Sequence, residues 1–413
     1  MPHYRRTEHI NTPAAPGENI QITIVLQLIP ALWIAGLTLA QALRRHGVRC
    51  TVFERDESSA VRNQGWGVSI HSTLTTWEAH ILPEIYDGVC DAQVNPAIGR
   101  DEVRGVPWIN GATGKVEQSV PESKRLRLRR DGIRNALMEG VDIQWGKRLA
   151  KIEKIEGGVR AEFTDGCIVQ GDVLVGADGS TSVVRKFLAP TSHELHRLPI
   201  NAVGCALTMT EEQVNYFKDN VDPLYFMGTH PETNTFVFWS LLDTPTAPGQ
   251  PYRAQVYFSW IASDADEELL KQPLLDVFKQ KGQPFFPRLW DLVESLPEDT
   301  VVTKVNLVDW PSVDWDNWDG TCTLIGDAAH CMVIYRGEGV NHAIVDACQL
   351  ADTIKCAADG EMSMGDAVRS YEKQMRPRAR EAVETSRQAG HDGHNYAKVD
   401  KEGSFALLGE KPV

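Results

Sequence analysis

The chain has 413 residues, enough at roughly 150 residues per domain for two or three domains and a sizeable core. Its 42 Lys plus Arg stand against 56 Asp plus Glu, a net charge of -14, which argues against binding nucleic acid by neutralising phosphates. With 42% hydrophobic and 24% charged residues it has the composition of an ordered globular protein. Eight cysteines, scattered without a CxxC pair or zinc spacing, read as reduced core thiols of a reducing compartment, so a cytoplasmic location is expected.

Residues 1–19 are polar, carry three prolines and lack the apolar core and cleavage site of a secretory signal, so a disordered arm is expected there. Residues 20–43 hold no charged side chain and are long enough to cross a bilayer. Against a membrane span, 22–25 is a β-branched run and Pro30 would break a helix at its centre. From Gly36 the pattern becomes amphipathic, with Leu37, Leu39, Ala40 and Leu43 before Arg44, Arg45 and a capping Gly47. A strand over 48–53 completes a βαβ unit, and the membrane span is the lesser alternative.

A dinucleotide-binding βαβ unit needs glycines between strand and helix so that backbone N–H groups approach a pyrophosphate. Only the last of three is present, Gly36; where the first two belong, residues 26–33 read LQLIPALW. Glu54 follows Gly36 by 18 residues, about where a ribose-binding carboxylate is expected. On this unit alone, a buried βαβ without a ligand carries equal weight.

Two later segments share one form. Residues 172–185 (DVLVGADGSTSVVR) are an apolar strand running into Gly176, Asp178 and Gly179, with Ser180 as the expected helix cap. Residues 322–346 are again an apolar strand ending in Gly-Asp, then a GEG turn opening a helix at about Asn341. A carboxylate at such a strand end accepts hydrogen bonds from sugar-like hydroxyls, and the turn aims N–H groups at an anion.

Between them, roughly 198–308, short alternating strands predict a sheet with one face on an apolar volume. Phe226, Phe238, Trp239, Tyr257 and Trp260 are candidates to line an aromatic-substrate pocket, with half of them at most expected to do so. An amphipathic helix is predicted over 263–278, a turn over 315–320, and two C-terminal helices, the second kinked or split at Pro377.

Here the motifs combine. TVFERD at 51–56, QGWGVSIH at 64–71, the Asp178-Gly179 pair, GDAAH from Gly326 and RGEGVNHA at 336–343 together resemble group A FAD-dependent monooxygenases of the p-hydroxybenzoate hydroxylase type, from about Ile22 to about Arg387. The RGEG and QGWG variants are most similar to fungal members that hydroxylate aromatic polyketides in secondary metabolism.

The resemblance implies an α/β fold: a Rossmann-like FAD-binding domain in two parts, 20–195 and 309–389 with the C-terminal helices, interleaved with a mainly antiparallel β-sheet substrate domain over 196–308 and followed by a loose tail over 390–413. It implies that Gly36 and Glu54 serve the ADP half of FAD, with Glu54 on the ribose. Asp327 would hold the ribityl chain, and Gly326, Gly337, Gly339, Val340 and Asn341 would wrap the flavin. Asp178 and Gly179 would touch FAD and NADPH, and Gly65 and Gly67, with Arg62 an even choice beside them, would border the flavin. Arg130, in RDGIRNAL, matches the family arginine near flavin and pyrophosphate, although its basic stretch KRLRLRR also suits a solvated surface.

The implied reaction uses NAD(P)H and O2 and passes oxygen from a flavin C4a-hydroperoxide to an aromatic small molecule. Alternatives are another flavin oxidation, such as Baeyer–Villiger insertion or epoxidation, or a flavin-free inactive relative, because the glycine turn is disrupted. No metal and no nucleic-acid partner are expected, the oligomeric state is open, and no general base is identified; His71, His330 and His342 are weak candidates. Cys331 and Ile334 stand where the family places prolines.

Overall fold

In the computed structural model, residues 20–26, 33–59 and 66–399 are described. The expected N-terminal arm, the substituted glycine turn over 27–32, Arg62, Gly65 and the final residues 400–413 lie outside them.

The apolar runs read from the sequence form one parallel sheet, in the order Cys322–Leu324, Val173–Gly176, Gln21–Leu26, Arg49–Glu54 and Ile143–Gln144. Ile22, Ile24, Val52, Val173, Leu174 and Leu324 are fully buried, as a sheet covered on both faces requires. Helices Trp33–Arg45 and Gly339–Ala358 pack against each other on one face. A three-stranded antiparallel sheet covers the other, stacking Phe163 on Phe53 with ring centroids 4.9 Å apart. The first helix starts at Trp33, three residues before the amphipathic pattern does. It ends as expected: Gly47 has φ +73°, Val48 N–H reaches Leu43 O at 2.9 Å, and Gly47 N–H reaches Arg44 O at 3.1 Å, which satisfies the last carbonyls. Among the described residues no helix is long and apolar enough to cross a membrane.

A second, seven-stranded sheet runs Thr303–Lys304, Ile200–Met209, Tyr252–Ile261, Phe236–Asp243, Tyr225–Thr229, Val103–Asn110 and Val116–Lys124. Its pairs are antiparallel except Tyr225–Thr229 with Val103–Asn110. Two of its strands therefore come from well before residue 196. The edge strand VEQSVPESK is largely exposed and has no apolar alternation, so pattern alone did not assign it to a sheet.

The helix expected over 263–278 is two, Asp266–Leu269 and Leu274–Gly282, because Pro273 ends the first and precedes the second. Helix Met364–Asp392 runs through Pro377 without splitting. The tail expected from residue 390 is held at least to Val399: Tyr396 Oη donates to Glu117 at 2.8 Å and accepts from Asn110 at 2.7 Å, while Thr229 Oγ1 donates to Gly393 O at 2.7 Å. The cap of helix Val183–Leu188 is Ser182, not Ser180, its Oγ accepting from Arg185 N–H at 2.8 Å. All eight cysteines are free.

The turn before the Gly-Asp strand, Trp318–Gly320, is the tightest joint to the C-terminal helix. Gly320 has φ +86°, and a Cβ there would lie 2.4 Å from Gly365 Cα. Gly320→Ala should therefore cost more than the ~1–2 kcal/mol of a left-handed alanine. Gly360→Ala, at φ +80° with open space around it, should cost only that. Thermal unfolding of the two variants checks the order.

Candidate active site

Parallel strands leave their ligand sites beyond the C-terminal ends, and here three such ends meet: Val25 pairs with Gly176, and Gly176 with Leu324. Segments some 150 residues apart in sequence thus open on one edge. Between that edge and the seven-stranded sheet lies a cavity of about 840 Å³, within the range of cofactor and ligand sites. Arg130, Asp327, Gly337, Gly339 and Val340 line one end, and Tyr225, Met227, Phe236, Phe238, Tyr257 and Tyr335 line the other.

Asp327 opens the short helix Asp327–His330 and stands half-buried in the cavity wall. Burial pushes its carboxyl up to about 6, opposed by positive charge from His330, Arg130 and Arg185. Gly326, at φ +59°, sits where a Cβ would come within 3.0 Å of Ala35 Cβ, so the strand end can pass this close to the first helix only as glycine. Its N–H donates to Asp346 Oδ2 at 2.8 Å. Helix Gly339–Ala358 begins two residues earlier than the pattern suggested, and Gly339 and Val340 put its N-terminus on the cavity wall. That end carries partial positive charge and open N–H groups. Asn341 does not line the cavity. Its Oδ1 accepts from His71 N–H and Thr73 Oγ1, both at 3.1 Å, and its Nδ2 donates to Ser69 O at 3.2 Å, which clips the helix start to the strand Gly67–Ile70.

Arg130 stands half-buried in the cavity wall, where desolvation lowers its pKa to about 10 and Asp327 opposes the shift. Glu54 ends its strand beside Leu26, on the side away from Gly176, and is only 1% exposed. Its Oε1 accepts from Asp56 N–H at 2.8 Å, but its Oε2 has no partner among the described residues. Burial pushes this carboxyl up to about 7. Gly36 is buried within the first helix, and its neighbours Ile34 and Ala35 reach the cavity instead.

The Asp178-Gly179 pair departs from expectation. Asp178 is fully occupied as a brace, accepting from Ser182 Oγ, from Val183 N–H at 2.6 Å and from Val184 N–H at 3.1 Å. Gly179, at φ +80°, makes the turn that puts Ser180 and Thr181 on the cavity wall. Arg185 then ties this turn to the other strand end, donating to Ser180 O, to Asp327 O at 3.2 Å and to Ala328 O at 3.1 Å.

Gly67 borders the cavity, but the space its side chain would need is filled by the Arg127 guanidinium, whose Nε and Nη2 come within 2.8 and 2.9 Å of a built Cβ. Of the five candidate aromatics, Phe238 and Tyr257 line the cavity; Phe226, Trp239 and Trp260 belong to the core on the opposite sheet face. Strand alternation decides this, since 236, 238, 255 and 257 share one face while 237, 239, 256 and 258 share the other. The same parity would have found Tyr225, Met227 and Phe236, which sequence reasoning missed together with Tyr335, Arg125 and Arg127.

His330 and His342 are held in the frame, His330 Nε2 on Asp346 Oδ2 at 2.5 Å and His342 Nδ1 by Arg378 at 2.6 Å. His71 lines the cavity, its pKa lowered to about 4 by burial and by Arg125 and Arg336. A hydrogen-bonded chain leaves the aromatic end: Tyr257 Oη lies 3.5 Å from Tyr335 Oη, Tyr335 donates to Ser259 Oγ at 3.0 Å, and Ser259 Oγ lies 2.9 Å from His394 Nε2. Nothing in the sequence pointed to His394.

A Glu54 carboxylate oxygen unpartnered among the described residues, the half-buried carboxylate of Asp327 and a helix start on the same strand edge fit a dinucleotide bearing ribose and ribityl hydroxyls and an anionic centre. Family comparison agrees with that chemistry. A family model described as FAD binding domain matches residues 34–386. The FAD-dependent monooxygenase dbaB of Emericella nidulans is 36% identical over 337 residues, 78% of this chain and 85% of that protein. The FAD-dependent monooxygenase phnB of Penicillium herquei is 32% identical over 385 residues, 90% of this chain and 92% of that one. Among solved structures, 2,6-dihydroxypyridine-3-hydroxylase from Arthrobacter nicotinovorans superposes with TM-score 0.71 at 20% identity, covering 95% of this chain and 97% of its own, a likeness of fold. The chain belongs to this FAD-binding family and is a FAD-dependent monooxygenase.

Proposed function

We propose that the enzyme hydroxylates an aromatic small molecule of the polyketide kind made in fungal secondary metabolism, with NAD(P)H as reductant and O2 as oxygen source. The observation that carries this reading is the single cavity that joins the strand edge to a wall of Tyr225, Phe236, Phe238, Tyr257 and Tyr335. One oxygen atom of O2 enters the ring and the other leaves as water, with two electrons from the nicotinamide. Bound FAD supplies hydride acceptance and oxygen activation.

The protein's own part is to bind, orient and exclude water. Gly36 would let the first helix approach the adenosine half, and the open Oε2 of Glu54 would accept from a ribose hydroxyl. Asp327 would accept from the ribityl chain. Gly326, Gly337, Gly339 and Val340 would leave room for the ring system, with Asn341 holding the helix start in place. Positive charge from that helix start and from Arg130 favours an anionic flavin edge. Asp178 and Gly179 act on this reading through the turn that presents Ser180 and Thr181.

A phenolic substrate needs a fixed partner for its ring hydroxyl. With His394 Nδ1 donating to Gly390 O at 2.5 Å, its Nε2 is free to accept from Ser259, which in turn accepts from Tyr335. Burial lowers His394 to about 4, so the imidazole is neutral at pH 7. The Tyr335 hydroxyl is thereby held donating toward the protein interior, which leaves its oxygen to accept a hydrogen bond from a ring hydroxyl and orient it.

Product analysis decides the reaction class. Turnover with NADPH and a panel of phenolic aromatics should give products heavier by one oxygen on an aromatic carbon; a lactone or a desaturated product contradicts the proposal. Tyr335→Phe should slow hydroxylation ~10-fold, the scale of one lost orienting hydrogen bond, at unchanged FAD content.

FAD binding should also depend on pH. A ribose hydroxyl donates to the ionised form of Glu54, whose carboxyl lies at about 7, so affinity should rise as pH increases through 7. In the apoprotein the sign is opposite, because a raised carboxyl pKa favours the fold at lower pH. Fluorescence titration of apoprotein with FAD from pH 5.5 to 8.5 checks this, and Glu54→Gln should remove the step near 7.

A further inference from the structure

The central strands of the seven-stranded sheet present Tyr225, Met227, Phe236, Phe238 and Tyr257 to the cavity, and among them one amide, Gln255. It stands two positions before Tyr257 on the same strand face and is 3% exposed. Its Oε1 is closed off without a partner among the described residues, and its Nε2 donates to none of them. A buried amide left unbonded costs free energy that an apolar side chain of similar size would not.

The neighbours explain why the protein leaves it so. In the ladder Gln255 stands opposite Ser240 on one side and Ala206 on the other. Ala206 has no polar side-chain group. Ser240 is already committed, its Oγ donating to Leu241 O at 2.9 Å and accepting from Arg127 Nε at 3.1 Å. One strand further on, Tyr225 Oη accepts from Arg125 Nη1 at 3.3 Å. The opposite face of the strand is core, where Ala254, Val256 and Phe258 are fully buried. With Oε1 enclosed, the part of the amide left to meet the cavity is the Nε2 end, an uncommitted donor.

The chemistry of that donor selects its ligand. An amide N–H is neutral and pairs best with a neutral oxygen, since it brings no charge to offset the desolvation of an anion. Phe238 and Tyr257 are paired across the ladder beside it and form an aromatic surface for a flat ring. A carbonyl oxygen on such a ring has its lone pairs in the ring plane, where a donor at the ring edge reaches them. Beyond Tyr257, whose Oη lies 3.5 Å from Tyr335 Oη, the Tyr335 oxygen is placed to accept from a ring hydroxyl.

We infer that Gln255 is a specificity-determining residue whose Nε2 donates to a neutral carbonyl on the substrate ring system, so that the enzyme takes a phenolic aryl ketone or quinone in preference to a phenol without a carbonyl. The inference rests on the aromatic-substrate reading above and narrows its substrate class. With the carbonyl on Gln255 and the hydroxyl on Tyr335, the ring is held at two points and has one orientation in the cavity.

Calorimetric titration of the oxidised, FAD-loaded enzyme at pH 6.5 tests this without turnover. The probes are 6-hydroxy-1-tetralone and 5,6,7,8-tetrahydro-2-naphthol, one phenolic two-ring frame with and without the carbonyl. The wild type should bind the tetralone ~10-fold more tightly, the scale of one hydrogen bond to an otherwise unbonded buried group. Gln255→Leu should weaken the tetralone ~10-fold and leave the tetrahydronaphthol within about twofold, which removes the preference. Equal wild-type affinities, or tighter binding of the tetrahydronaphthol, overturn the inference whether or not the variant folds. A preference that survives in Gln255→Leu overturns it too, as does an equal loss for both probes, which is what a merely structural glutamine would give. A wild type that selects the tetralone but adds oxygen to no ring retains this inference and refutes the hydroxylase reading. One that hydroxylates both probes with equal kcat/KM refutes this inference alone.

Discussion

One buried carboxylate holds the cofactor edge together. Asp346 is fully buried on helix Gly339–Ala358 and accepts from Gly326 N–H at 2.8 Å, from His330 Nε2 at 2.5 Å and from Arg378 Nη2 at 2.6 Å. Burial alone would raise its pKa, but the positive charges of His330 and Arg378 hold it well below the usual carboxylate range. An ionised group at this depth is tolerable only because its lone pairs are so fully taken. The bonds it accepts come from the strand end, the turn after it and the long C-terminal helix. Asp327 and the N-terminus at Gly339 therefore keep a fixed separation, and any ligand between them meets a preorganised pair rather than two mobile loops.

Arg185 does the corresponding work for the other strand end. It reaches from the Asp178 turn to the carbonyls of Asp327 and Ala328 and stacks on Trp310 at 4.8 Å. Through these two charged centres, one at each side of the Val173–Gly176 strand, distant parts of the sequence converge on one cavity. Opposite them, the seven-stranded sheet offers a wall fixed by strand parity, aromatic at Tyr225, Phe236, Phe238 and Tyr257 and polar at Ser123, Gln255, Thr303 and Lys304. The lining is divided in space: the parallel edge contributes Asp327 and a helix start, and the antiparallel face contributes the aromatic side chains.

Much of this was legible in the sequence because its signals are local. The apolar strands, Gly47, Glu54 at its strand end and Asp327 after Gly326 each follow from short-range spacing and stand where that spacing put them, while the glycine-rich helix starts two residues early, at Gly339. What was not legible depended on partners far away in the chain. Asp178 has the spacing of a ligand-binding acid, yet its bonds go to the next helix start, and only the three-dimensional arrangement puts Ser180 and Thr181 on the cavity wall. Trp239 and Phe238 are neighbours of similar character, but a single residue of parity sends one to the core and the other to the cavity. His394 lies in a stretch whose composition suggested a loose tail, and only its bond to Ser259 shows its place.

The central claim is that a flavin lies between the helix start at Gly339 and the aromatic wall, with its adenosine end directed to Glu54. A crystal structure of the FAD-loaded enzyme tests it most directly. The account predicts density for the ring system beside Gly339 and Val340 and within van der Waals reach of the cavity that Tyr257 and Phe238 close, with a ribose hydroxyl on Glu54 Oε2. Density for FAD elsewhere, or a Glu54 carboxylate facing no part of it, would contradict the account.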